Sequence, residues 1–223
     1  MSRLPRWVEY GAFALAWVAG IINAVGLMGV EQQAISHLSG TATLLGSSIV
    51  SDPGSSLHLA GALLSFVIGA SISGYFLSGT KLKLGRVYDF LLVLEGIMLL
   101  TAVYLWEMSL GFGIFLASAA CGLQNALATT YSGSVVRTTH VTGIFTDLGL
   151  MLGAKLKGQD FDRRRALLFL LIILGFLSGG SIGALLFGRF GFQTLLLPAL
   201  ICFVLAATYR VYASKTVDKP TEQ

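Results

Sequence analysis

The chain has 223 residues, of which 55% are hydrophobic and 12% charged, about half the charged share of a soluble domain, roughly 25%. That balance excludes an ordinary water-soluble enzyme domain and points to lipid as the solvent. The net charge of +4 does not indicate a nucleic-acid partner, because the basic residues flank the apolar runs in the one-sided pattern of membrane topology.

In chain order, the first apolar run is Trp7–Met28. Met1–Arg6 followed by this run mimics a signal peptide. The run carries Asn23, however, which has a counterpart far down the chain, so it reads as a retained helix. Next, Gln32–Ser39 reads as extended chain and leads into a short apolar piece, Thr41–Val50. Leu57–Leu77, Val87–Trp106 and Ser109–Thr129 follow, each long enough to cross a hydrocarbon core of about 30 Å. Ser134–Thr142 is β-branched and polar, hence extended, and opens a second short piece, Gly143–Ala154. Ala166–Phe187 and Gln193–Tyr209 complete six spans. The two short pieces reach only about 15–18 Å at 1.5 Å per residue, so they read as half-helices that return to the side they entered from. Ser39 and Thr142, each before a glycine, suit their N-caps.

The chain repeats itself. Gly20-Ile21-Ile22-Asn23-Ala24 is answered 102 positions later by Gly122-Leu123-Gln124-Asn125-Ala126. His37-Leu38-Ser39-Gly40-Thr41 is answered by His140-Val141-Thr142-Gly143-Ile144, and Gly69-Ala70-Ser71-Ile72 by Gly179-Gly180-Ser181-Ile182. Repeat one covers about 7–106 and repeat two about 109–210, with 211–223 as a tail, all within a single membrane domain 1–223. Three crossings per copy is an odd number, so the copies are expected to be inverted. The expected fold is therefore all-α and polytopic: six transmembrane helices plus two re-entrant half-helices, in two inverted three-span repeats. With the short pieces re-entrant, fourteen of the fifteen Lys and Arg residues share one face and only Arg189 lies on the other. Positive charge stays in the cytoplasm, so both termini are expected inside.

Polar residues inside the apolar runs are the candidate site. Asn23 and Asn125 either join helices by hydrogen bonds or face a central cavity. Gln124 cannot share the face of Asn125. Ser39, Thr41, Thr43, Thr142 and Thr146 lie on the first turns of the half-helices, whose N-termini carry free N–H groups suited to an anion or a polar solute. Arg137 either adds charge to such a site or snorkels to the surface. Glu95, deep in span three with no cation one turn away, is the leading proton carrier. His37 and His140 order the extended segments or join in proton coupling. Asp147 is expected to pair with a basic loop residue. Gly175-x-x-x-Gly179-x-x-x-Gly183 allows close packing on another span of the same chain or in a homodimer seam. Cys121 and Cys202 fall inside spans as small apolar residues. No metal-ligand spacing, cofactor fingerprint or catalytic motif occurs, so neither metal nor cofactor nor enzymatic activity is expected.

The Asn-Ala span, the Ser39-Gly40-Thr41-x-Thr43-x-x-Gly46 element, and the block Gly122–Asn125 with Val136–Gly143 together resemble the YoaK-like bacterial membrane proteins over nearly the whole chain. The resemblance implies a multi-pass inner-membrane protein of a family with no assigned activity. The layout of extended segments before opposed half-helices is also similar to nucleobase and sulfate transporters. The expected function is a small secondary transporter or exporter in the bacterial plasma membrane, binding a small polar or anionic solute between the half-helix N-termini, with membrane lipid around it. The alternative is a non-transporting membrane protein that binds a lipid or a protein partner.

Overall fold

The computed structural model describes residues 6–29, 34–77, 86–108, 111–131 and 139–217. The regular elements among them are all helical: α1 Arg6–Met28, α2 Leu38–Ser51, α3 Pro53–Leu77, α4 Arg86–Glu107, α5 Gly113–Tyr131, α6 Val141–Leu156, α7 Arg163–Phe190 and α8 Leu196–Val217. A 3-10 turn, Gly191–Leu195, joins the last two, and Gly191 (φ 53°) makes the left-handed break that ends α7. Each apolar run of the sequence coincides with a helix over most of its described length. Among the described residues four stretches are long and apolar enough to cross a membrane: Glu9–Met28, Pro53–Leu77, Val87–Glu107 and Arg163–Val211, the last running through both α7 and α8. In α5 the pair Gln124 and Asn125 interrupts the apolar run. The outer surface is oily, with Leu64, Val67, Ile68, Leu177 and Leu185 exposed, while Glu95, Gln124, Ser73 and Ser118 are buried. This is the architecture of a helical membrane protein.

Helix starts differ from expectation in two ways. α3 begins at Pro53, four residues before Leu57, because Asp52 caps it. The Asp52 carboxylate accepts from the Gly54 (3.1 Å) and Ser55 (3.3 Å) amides, and Pro53 takes the first helical position, where no N–H is needed. The half-helices are capped not by Ser39 and Thr142 but by His37 and His140, and neither cap side chain bonds a backbone amide. His37 Nδ1 instead meets Ser39 Oγ at 3.2 Å. The His140 ring lies back over the first turn against Gly143, where a β-carbon would collide with it.

Glycines set the helix pairs. The Gly175–Gly179–Gly183 stripe packs on α1, against the Phe13 and Trp17 carbonyls and the Ile21 backbone, so it is an intrachain seam. Gly20 returns the contact onto the Phe176 carbonyl. The same exchange recurs between α3 and α5, where Gly69 lies on the Ala119 carbonyl and Gly122 on the Phe66 carbonyl. Contacts rise together along both chains, so α1 runs parallel to α7 and α3 parallel to α5. In contrast α4 and α8 are antiparallel: Tyr88 stacks on Tyr209 at one end, and Trp106 stacks on Phe192 just before α8 at the other. That second end is a dense aromatic plug. Trp106 and Phe192 are 4.4 Å apart and 8° from coplanar, Phe187 meets Phe192 edge-on, and Gly29 and Gly113 leave room for the rings.

Candidate functional site

Each half-helix is tied at its N-terminal end to an asparagine of a long helix. The Asn23 side-chain oxygen accepts from the Ser36 amide (3.3 Å) and hydroxyl (3.2 Å). The Asn125 side-chain oxygen accepts from the Thr139 hydroxyl (3.1 Å). Ser36 and Thr139 hold matching places just before the two histidine caps. The asparagines therefore latch the segments that turn the chain into α2 and α6, which is the helix-joining role of the two considered for them.

The hydroxyls of the half-helices are used locally. Thr41, buried, donates to the Ala34 carbonyl (3.1 Å). Thr43 donates to Ser39 O (2.9 Å), and Thr146 to Thr142 O (3.0 Å). Ser39, Thr43, Thr142 and Thr146 lie on exposed faces. Among the described helices α2 packs on α3 and α6 on α7, and the two half-helices do not meet. Each stays against the long helix that follows it, and the asparagine contacts tie the start of one to α1 and the start of the other to α5. Arg137 lies outside the described residues. Asp147 pairs with Arg165 (3.3 Å), as expected for an acid facing the basic loop, and Glu9 pairs with Arg164 (2.9 Å).

Glu95 is different. It is fully buried on α4, and neither carboxylate oxygen has a hydrogen-bond partner. The Cys202 thiol of α8 is turned toward it without reaching normal hydrogen-bond geometry, and Cys121 of α5 is near enough to share its field. Gln124, one turn beyond Cys121 on α5, is also fully buried with both amide atoms unpartnered. An acid at such depth costs about 2.5–3.5 kcal/mol on insertion scales, and an unmet buried amide about 1–3 kcal/mol. Gly96 beside Glu95 lets the Phe203 ring close over this layer. Sequence reasoning found Glu95 but treated the cysteines as filler. The missed signal was Cys121 and Gln124 three residues apart, which puts a thiol and an amide on one helical face. Among the described residues no three His, Cys, Asp or Glu side chains are grouped to hold a metal ion.

No curated protein and no solved structure matches this chain. A family model does, over residues 11–208, described as a protein of unknown function (DUF1275). That span contains both latches, both half-helices and the buried layer around Glu95, and the family's unknown function agrees with the resemblance to YoaK-like proteins. The chain belongs to the DUF1275 family.

Proposed function

We propose that this chain is a small secondary transporter with six membrane crossings, built from two inverted three-span repeats, in which Glu95 carries a proton and a small polar solute is handled in the layer of Glu95 and Gln124. The single observation that carries this reading is the buried, unpartnered carboxylate of Glu95 at the centre of the bundle. A group so costly is kept for a task, and in a membrane interior that task is ion or proton handling.

Helix directions support the crossing number. With both half-helices returning, α1 and α7 run one way, α3 and α5 the other, and α4 opposes α8. If both half-helices crossed, α4 and α8 would be parallel; if only one crossed, α1 would oppose α7. The exchanged glycine contacts support the repeat, because Gly20 and Gly122, like Gly69 and Gly179, meet equivalent carbonyls in the opposite half. Adjacent residues of α5 link its parts: Gln124 faces the buried layer while Asn125 holds the α6 latch, so a shift of α5 would move both. The distribution of basic residues supports an inside location for both termini.

The exposed hydroxyls of α2 and α6 favour a second reading, a membrane protein that binds a lipid or protein partner on those faces. Proteoliposomes decide between the two. Under a pH gradient, a solute found by thermal-shift screening is expected to be taken up by the wild type and not by Glu95→Gln. Equal uptake by both proteins would remove Glu95 from the mechanism, and a folded protein that moves no stabilising solute would favour the partner-binding reading.

A further inference from the structure

A small pocket opens at the end of the bundle where α4 begins and α8 ends. Tyr88 and Tyr209 stand at it, 6.2 Å apart and 25° from parallel, and Gly11 of α1 leaves one wall thin. It has about 20 Å³ wide enough for water, which is room for one molecule. Its lining ends on Leu92, Leu127 and Leu205, from three different helices. Three residues further inward on the same three helices lie Glu95, Gln124 and Cys202, all fully buried. Three residues of helix is about 4.5 Å, so one layer of leucine separates the cavity from the carboxylate. In the other direction lie Leu99 and Ala102, both fully buried, and then the Trp106–Phe192 plug.

Resting on the transporter reading of Glu95, we propose that the Tyr88–Tyr209 cavity is the water entrance through which Glu95 exchanges its proton with one side of the membrane, and that Leu92, Leu127 and Leu205 form its gate. The basic loops at that end identify the side as the cytoplasm. The titratable groups facing Glu95 are Cys202 from α8 and Cys121 from α5. The 3-10 turn carries none, and α3 contributes only His58, which lies against Phe115, and the exposed Tyr75. Both thiols are buried in the same layer as Glu95, so a proton that enters this layer from solvent comes through the leucines. Opening that layer by one side-chain rotation would let a water reach the carboxylate, while the aromatic end stays dry.

The test is infrared spectroscopy of the full-length protein in nanodiscs, following the carbonyl band of a protonated carboxyl group after transfer into heavy water. The band is assigned by its loss in Glu95→Gln. Filling the cavity with Gly11→Leu, or independently with Leu127→Phe, is expected to slow deuteration of the band by at least about tenfold, with amide exchange of the helices unchanged, since local opening is read separately by the amides. Either variant serves if the other does not fold. An unchanged rate in a folded, cavity-filled variant would overturn the entrance while leaving Glu95 as a proton carrier. Absence of any band that depends on Glu95 would overturn the proton-carrier reading itself.

Discussion

Ser36 gives both its backbone N–H and its hydroxyl to one atom, the side-chain oxygen of Asn23. A two-donor contact to a single buried acceptor fixes where the chain turns back from α1 into α2. Asn23→Leu keeps the volume but leaves both donors unmet, and is expected to cost about 1–3 kcal/mol of stability. Asn125 accepts a single such bond and is half-buried, so Asn125→Leu should cost less, nearer the average of about 0.6 kcal/mol for hydrogen bonds between membrane helices. Thermal unfolding in detergent would measure both, and equal costs would contradict the difference in geometry.

The glycine seams make a sharper forecast. A β-carbon at Gly69, Gly122 or Gly179 would run into the backbone of the facing helix, whereas at Gly149 it meets nothing. Gly69→Ala, Gly122→Ala and Gly179→Ala should each destabilise by about 1–3 kcal/mol or more, the usual range for overpacking. Gly149→Ala should be neutral or mildly stabilising, by roughly 0.5–1 kcal/mol, because alanine is the better helix former. The two groups are compared by unfolding temperature in one detergent.

Replacing Glu95 with Gln keeps the shape and removes a charge that has no partner. If the residue is there for function, Glu95→Gln should leave stability unchanged or raise it by about 1–3 kcal/mol while eliminating proton-driven charge movement in proteoliposomes. A large loss of stability would mean that the carboxylate is structural.

Asp52 supplies a pH dependence at the other end of α3. The Ser55 hydroxyl, and then the Ser55 and Gly54 amides, hold its carboxyl below the usual carboxylate range. A depressed folded value means that the contribution is present above the unfolded pKa, about 3.9, and is lost as pH falls through the folded one. Asp52→Asn retains a capping oxygen, so acidification should lower the unfolding temperature less in the variant than in the wild type.

Topology can be tested with cysteines placed on exposed positions. Ser55 and Gln159 are both exposed, and the native Cys121 and Cys202 are buried. In intact cells an impermeant maleimide should label Ser55→Cys and not Gln159→Cys. The reverse pattern would invert the whole arrangement.

The helices were legible because lipid demands long apolar runs, and the run lengths already separate the long helices from the two short ones. The glycine echoes were legible too, since only a glycine lets two backbones touch, and their contacts give each one a partner in the opposite half. The meaning of the polar repeat was harder to read. Asn23 and Asn125 look alike whether they face a solute or a loop, and only the position of Ser36 and Thr139 in space reveals the hydrogen bonds that their side-chain oxygens accept. Helix caps were misplaced because His37 and His140 hold the cap positions without capping chemistry, a choice set by local ring packing. The layer around Glu95 is built from α4, α5 and α8, and no spacing within one helix reveals a neighbour on another.

The flat stack of Trp106 on Phe192 gives the molecule an optical indicator of its own state. Any motion that admits water from that end must separate the two rings, and an indole moved from phenyl contact into water shifts its emission to longer wavelength. The chain has three tryptophans. With Trp7 and Trp17 changed to Phe, the colour of the remaining fluorescence would tell which mouth of the protein is shut, with no dye attached and before any cargo is known.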